Sequence, residues 1–272
     1  MSFWDAWPLF ADAWMSSWLA AILLGLLGVA VVAREQVFLG AAMAQAATAA
    51  TALGLFLGAS AISLAALHLS GPVAVIAATA VALVTGLGRG HRESLVALVF
   101  LACTAASLLL VAKLPHGLQE VQRLVASSVI GARRSDTIFL GVLLGVLSLT
   151  AMLKHRGLVT WLIDPAFAAA VGIPVRRWAI LLALALGLAV GWSLQVAGML
   201  FVLGCLVLPA LTARAIVREV RTALVLAPLV AGIGAVLGSL TAHAYDLPPA
   251  QTTVALLAAA TAIAMTLRQL RG

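Results

Sequence analysis

The sequence predicts an all-α, polytopic integral membrane protein with about nine transmembrane helices (eight to ten), built as a single transmembrane domain over residues 1–272. Hydrophobic residues make up 64% of the chain and charged residues only 9%, whereas a soluble domain carries about 25% charged residues. Apolar runs close to the roughly 20 residues needed to cross a bilayer recur along the whole chain. Lys and Arg residues cluster in alternate connections, as expected for membrane topology.

The first four predicted spans are residues 14–33, 37–57, 71–88 and 94–112. Trp7 precedes the first span in a segment with few basic residues, which suits an outer interface. Arg34 ends that span on the inside, and Arg89 and Arg92 mark the inside again before the fourth span. Residues 58–70 are too short to cross alone, so we expect them to continue the second span or to lie on the outer side.

The last five predicted spans are residues 136–153, 178–193, 196–213, 222–242 and 250–267. A longer and more polar connection, residues 113–135, leads into the first of them. The apolar middle of this connection, residues 124–130, is too short for a span and is interpreted as an outer or re-entrant helix.

The charge distribution orients the predicted spans. Twelve of the sixteen Lys and Arg residues fall on the cytoplasmic side, at positions 34, 89, 92, 154, 156, 176, 177, 214, 218, 221, 268 and 271; the other four are 113, 123, 133 and 134. The positive-inside rule therefore predicts a cytoplasmic C-terminus. Because the basic residues are spread over short loops, the net charge of +7 is explained by topology, and nucleic acid is not expected as a partner.

Small residues recur within the predicted spans at spacings of three or four. The pairs are Gly25 with Gly28, Gly141 with Gly145, and Gly187 with Gly191. Such spacing lets helices approach closely, so these pairs predict helix-packing contacts within the chain, with a specific subunit interface as the alternative.

The loop at residues 154–177 contains signals for a short helix. Asp164 is suited to the N-cap and Pro165 to the first helical position. Gly172 followed by Pro174 should end the helix after residues 166–171. With basic residues at both ends, the loop is predicted to be cytoplasmic, and a capped helix there would offer a docking surface to a soluble partner.

The residues that could carry chemistry are sparse. Nearly all of the nine acidic residues fall at predicted helix ends, so the usual material of a proton or sodium relay is missing. No Gly-x-x-x-x-Gly-Lys-Ser/Thr phosphate loop and no Ser/His/Asp arrangement is present. We therefore expect no intramembrane enzyme and no bound cofactor, and a secondary transporter is poorly supported.

His243 and Asp246 form one candidate metal site. They lie three residues apart in a predicted outer turn, and an imidazole with a carboxylate can hold a transition metal. The alternative interpretation is an interfacial turn in which Asp246 serves as a cap.

Four segments resemble the permease subunit of the zinc/manganese/iron group of ATP-binding-cassette importers. They are residues 34–54 (REQVFLGAAMAQAATAATALG), 163–175 (IDPAFAAAVGIPV), 196–214 (VAGMLFVLGCLVLPALTAR) and 245–253 (YDLPPAQTT). The second is similar to the family's Asp-Pro-x-Phe-Ala loop, and the third to its Pro-Ala-x-x-Ala-Arg helix. The resemblance covers nearly the whole chain in the right order.

The resemblance implies a function for the short loop helix. It would be the coupling helix that seats in a separate ATPase subunit, with Asp164, Pro165, Phe167, Gly172 and Pro174 forming the contact. ATP would be used by that partner and not by this chain. The resemblance further implies a second permease copy, identical or not, an extracytoplasmic substrate-binding protein, and a location in the bacterial cytoplasmic (inner) membrane.

The chain departs from the family at the start of the second helix. The family has an Asp and a His four residues apart there, on one helical face, and this chain has Ala41 and Gln45. Ala41, Met43, Gln45 and Glu93 are the candidate pathway residues. The expected substrate is a divalent transition metal, zinc or manganese. Three explanations of the departure stay open: the metal passes without a tight site, using Gln45, Met43 and the outer His residues; a non-identical partner permease supplies the ligands; or the substrate is a metal chelate or other small solute. A different functional class is a membrane subunit that only assembles with others.

Overall fold

Within residues 3–60, 73, 75–84, 92–113 and 132–271, which are those that the computed structural model describes, all regular structure is α-helical. The helices are α1 (Phe3–Ala33), α2 (Val37–Ser60), α3 (Val75–Val84), α4 (Arg92–Ala112), α5 (Arg134–Leu153), α6 (His155–Ile163), α7 (Pro165–Ala170), α8 (Val175–Ile216), α9 (Val220–Tyr245) and α10 (Pro249–Arg271). The predicted all-α class is confirmed. The predicted helix at 124–130 lies outside the described residues, as does most of 58–70.

Helix α8 is too long for a single crossing. Its 42 residues would extend about 63 Å if straight, twice the thickness of the hydrocarbon core. Gly198 interrupts it with φ 81° and ψ 170°, a conformation that residues with a Cβ rarely adopt. The two parts are residues 175–197, here α8a, and residues 199–216, here α8b.

Contacts show that the chain turns back at Gly198, since both ends of α8 lie beside the C-terminus of α1. Near the start of α8a, Trp178 stacks on Trp161 at a ring distance of 6.3 Å. The Trp161 carbonyl in turn accepts a hydrogen bond from Arg34, directly after α1. Near the end of α8b, Arg214 donates to the Val32 carbonyl at 3.4 Å.

The reversal brings the number of crossings close to the prediction. Seven described helices are long and apolar enough to span a membrane, and α8 crosses twice, which gives eight crossings in the described part of the chain. The predicted ninth, residues 71–88, is described only at Val73 and in α3. The spans predicted at 178–193 and 196–213 are both present, but one glycine joins them, without an intervening loop.

Arginine side chains tie the helix termini together at one end of the bundle, here called the basic end. Arg34 and Arg214 make the bonds given above, and Arg268 of α10 donates to the Arg214 carbonyl at 3.4 Å. These cations meet carbonyls at the C-terminal ends of helices, where the helix leaves acceptors unsatisfied and the dipole favours positive charge.

Polar contacts between helices also mark the other end of the bundle, here called the opposite end. The Ser16 and Thr137 hydroxyls lie 2.7 Å apart, joining α1 to the start of α5. The Trp18 indole donates to Ser239 of α9 at 2.9 Å. Helices α1, α5, α8b and α10 therefore run toward the basic end, while α8a and α9 run away from it.

Helix α1 begins earlier than predicted. It starts at Phe3, whereas the first span was predicted from residue 14. The Trp7 ring packs against Trp14 and Trp18 of the same helix, at 5.7 and 5.9 Å. This aromatic contact supports the additional turns beyond the apolar run.

Close helix packing surrounds α1 and α8. A Cβ on Gly25 would lie 2.8 Å from the Ala231 Cβ of α9, and a Cβ on Gly28 would collide with the Leu206 backbone of α8b. Gly187 and Gly191 of α8a meet α3 equally closely. These two predicted pairs are confirmed.

The third glycine pair makes no close helix contact within the part of the chain that the structure describes. A Cβ on Gly145 would meet no described atom within 4 Å, and one on Gly141 would make only an ordinary contact with Leu19, at 3.7 Å. Helix α5 lies on the periphery of the described bundle, with a single fully buried residue, Leu140. The spacing of small residues is typical of a packing face, but among the described helices α5 presents that face to no neighbour, so a contact with another subunit stays a prediction.

Candidate functional site

The predicted short loop helix is present as α7, and its start follows from Asp164. One oxygen of this carboxylate accepts the backbone N–H groups of Ala166 at 2.8 Å and Phe167 at 3.0 Å. These are two of the donors that the first turn of a helix leaves without partners. Pro165 occupies the first helical position, where its missing N–H costs nothing.

The end of α7 is fixed by Gly172. The Ile173 N–H donates to the Ala168 carbonyl at 2.9 Å, and the Gly172 N–H donates to the Ala169 carbonyl at 3.1 Å. This pair of bonds is the Schellman motif, which requires a left-handed residue just after the helix. Gly172 supplies it with φ 82°. Pro174 then caps the start of α8.

Helix α7 has one buried side and one exposed apolar side. Ala168 is completely buried in a small cluster with Ala30, Trp161 and Leu162. Phe167 and Val171, one turn apart, are 57% and 54% exposed at the basic end. Exposed apolar side chains that are held rigidly and flanked by basic residues form a surface suited to a protein partner.

The support beneath α7 is a second helix, α6, that sequence reasoning missed. Residues 155–163 were treated as loop, but their Trp161 and Leu162 are buried. The Arg34 guanidinium lies over the Trp161 ring, 4.8 Å from its centroid, a cation–π contact. The apolar pattern of Leu158, Trp161 and Leu162 was the available signal.

Removing the N-cap should loosen α7 alone. Asp164→Ala deletes the acceptor for two backbone donors and should destabilise the helix locally by about 1 kcal/mol, while Asp164→Asn keeps an acceptor. Hydrogen–deuterium exchange should therefore quicken about fivefold over residues 165–172 in the Ala variant only. Unchanged protection there, or equal loss of protection in α1, would contradict this role.

The candidate pathway residues of α2 differ in accessibility. Ala41 and Gln45 are partly exposed, and the Gln45 Nε2 lies 3.4 Å from the Met199 sulfur of α8b. Met43 is fully buried in the main core. Glu93 is exposed in the first turn of α4. The structure thus pairs Gln45 with Met199, which sequence reasoning did not identify, and the pathway role of all four residues stays a prediction.

The candidate metal pair lies at the opposite end. The His243 ring packs edge-on against Trp14 at 5.9 Å, and Asp246 is exposed in a left-handed conformation at the end of α9. In the described ranges, no group of three or more His, Cys, Asp or Glu side chains could hold a metal ion. A metal role for this pair also stays a prediction.

Eight membrane-length crossings, with a short capped helix at the basic end, form the architecture of a membrane subunit of a transporter. The same fold occurs in the solved PsaBC from Streptococcus pneumoniae in complex with Fab, with a TM-score of 0.79 over 99% of both chains at 17% identity. A family model matches residues 6–268, so the chain belongs to the ABC 3 transport family.

Two curated relatives are similar to this chain, one over most of its length and the other over about half of its length. The manganese transport system membrane protein MntC of Halalkalibacterium halodurans is 28% identical over 231 residues, which cover 84% of this chain and 76% of the relative. The chelated iron transport system membrane protein YfeD of Yersinia pestis is 26% identical over 158 residues, or 58% and 53% of the two chains. The resemblance found in the sequence is thereby confirmed.

Proposed function

We propose that this chain is the permease of an ATP-driven importer in the cytoplasmic membrane and that it carries a divalent transition metal, with manganese as the first candidate. The rigid, capped α7 helix is the observation that carries the coupling part of this proposal. The manganese assignment is supported by the name of the relative MntC and by the amide oxygen of Gln45, a hard ligand of the type that manganese accepts.

The ATPase partner would bind at α7. Phe167 and Val171 would enter its groove, while Ala168, buried against Trp161 and Leu162, would transmit movement to α1 and α8. The basic end then faces the cytoplasm together with the C-terminus, which agrees with the positive-inside rule. The partner subunit would carry out all of the ATP hydrolysis that drives transport.

A second permease copy would pack on α10. The exposed side of this helix carries a row of alanines, namely Ala255, Ala258, Ala259 and Ala262. Small residues allow two helices to approach closely in a bilayer, whereas helices facing lipid need no such row. Substrate would pass between the copies after delivery by an extracytoplasmic binding protein.

A pathway that lacks the family's Asp and His pair can still pass an ion. Transport requires binding strong enough for entry and weak enough for release. The Gln45 amide oxygen is a ligand type that manganese accepts, and two copies would supply two such groups. Weak transient contact replaces the tight Asp and His site of the family.

The uptake assay uses vesicles that contain this chain, its ATPase and its binding protein. ATP-dependent uptake of manganese, above that of zinc and chelated iron, is the expected result. If a complex that hydrolyses ATP took up only the chelated iron, a bare metal ion would be rejected as the substrate and a metal chelate would be supported. ATPase activity without uptake of any metal would direct the search to organic solutes.

Restoring the family's ligands tests whether this face of α2 lines the pathway. Ala41→Asp with Gln45→His should increase manganese affinity of the purified complex at least about tenfold, equivalent to ~1.4 kcal/mol, measured by calorimetry. Ala50→Asp with Gly54→His has the same spacing on the opposite face of α2 and should change nothing. An equal increase in both variants, or none in either, would contradict the assignment.

A further inference from the structure

A groove of about 880 Å³ runs along the surface between α5 and α9, with α1 as its floor. Both helices pack against α1, but they scarcely touch each other. On α9 the groove is lined by Pro228 and Gly232, and a Cβ on Gly232 would lie 3.0 Å from Ile22 of α1. The absence of large side chains at these two positions keeps the floor of the groove open.

The lining of the groove changes in character along its length. Its walls are almost wholly apolar, with residues such as Leu144 and Leu237 toward the opposite end. At the basic end it is lined by His155 of α6 and Arg221 in the first turn of α9, and no acidic side chain lines it. The His155 Nδ1 lies 3.1 Å from the Met152 carbonyl, which holds the imidazole at this position.

We propose that this groove is a binding site for an anionic phospholipid of the leaflet at the basic end. An acyl chain would lie along the apolar walls between α5 and α9, and the phosphate would meet Arg221 and His155. Charge complementarity selects this occupant, since basic pockets between membrane helices on the cytoplasmic side recognise anionic headgroups. The cytoplasmic placement of that leaflet rests on the proposed function.

A second copy of this chain fits the groove less well. Two permeases in the same membrane orientation would place their Arg221 guanidinium groups at the same depth, so a symmetric contact would bring like charges together. A phosphate neutralises these charges, and it leaves the alanine face of α10 available for the second copy.

Native mass spectrometry of the protein, extracted from vesicles of equal phosphatidylglycerol and phosphatidylethanolamine, tests the proposal. Wild type should retain phosphatidylglycerol in preference to phosphatidylethanolamine. Arg221→Gln with His155→Gln should retain at least about fivefold less phosphatidylglycerol. Arg176→Gln with Arg177→Gln removes two exposed basic residues that do not line the groove and should behave as wild type.

Three results would overturn the lipid site. They are equal retention of the two lipids by wild type, no loss in the Arg221 and His155 variant, and an equal loss in the Arg176 and Arg177 variant. A separate measurement tests the other occupant: Leu229→Cys in a Cys103→Ser background should give no disulfide-linked dimer in vesicles. Dimer formation through Leu229→Cys would show that a second copy covers the groove. None of these measurements depends on metal uptake, so they separate failure of the lipid site from failure of the proposed function.

Discussion

Gly28→Ala should be the most destabilising single-methyl change in the described bundle. A Cβ at this position would collide with the Leu206 carbonyl of α8b, and a backbone atom cannot turn aside as a side chain can. Overpacking of this kind costs about 3 kcal/mol or more when the backbone must move. The midpoint of thermal unfolding in mild detergent should fall by roughly 6–12 °C.

Gly145→Ala is the matched control for that prediction. It adds the same methyl group to a membrane-length helix, but its Cβ would meet no described atom within 4 Å. Because Ala favours the helix over Gly by up to about 1 kcal/mol, the midpoint should stay the same or rise slightly. If both variants lost equal stability, the contact between Gly28 and Leu206 would not be the cause.

Phe167→Asp should abolish coupling while leaving the membrane fold intact. Phe167 is 57% exposed on the surface of α7. In the proposed complex, a carboxylate at this position would have to lose its water against the ATPase. Loss of a central apolar anchor costs a complex 2 kcal/mol or more, about a thirtyfold weaker affinity. ATPase copurification and ATP-driven uptake should both fall at least about tenfold.

Tyr245→Asp provides the comparison for Phe167→Asp. Tyr245 is 75% exposed at the opposite end, so its replacement by Asp introduces the same charge far from α7. Its thermal midpoint and its ATPase copurification should match those of wild type. Normal ATPase binding by the Phe167 variant would remove α7 from the docking surface, and a lowered thermal midpoint in that variant would assign the defect to folding.

Local sequence signals predicted α7 accurately because each of its determinants acts over a few residues. Asp164 bonds to the next two donors along the chain, and Gly172 provides the left-handed residue that the Schellman motif needs. Helix α6 was missed because its stability comes from Trp161, which packs beneath Arg34 and against Trp178. Neither of those partners is local.

The candidate functional residues likewise include some that the sequence identifies and some that only the folded chain reveals. Ala41 and Gln45 could be singled out from the sequence because they occupy the positions at which the resembling family has its Asp and His. Met199 could not, since its sulfur reaches Gln45 only after the chain has turned back at Gly198. The placement of Met43 in the core likewise depends on which face of α2 meets α8.

By itself, the sequence determined the class of the protein, most of its spans and its short capped helix. A bilayer leaves no water for the backbone, so apolar runs must become helices, and the caps are set by neighbouring residues. Only the tertiary structure decided that α8 folds back on itself, that Gly28 rather than Gly145 is essential for packing, and that α5 and α9 stand apart over a groove. Those features arise from contacts between residues far apart in the chain, and no local pattern encodes which distant surfaces will meet.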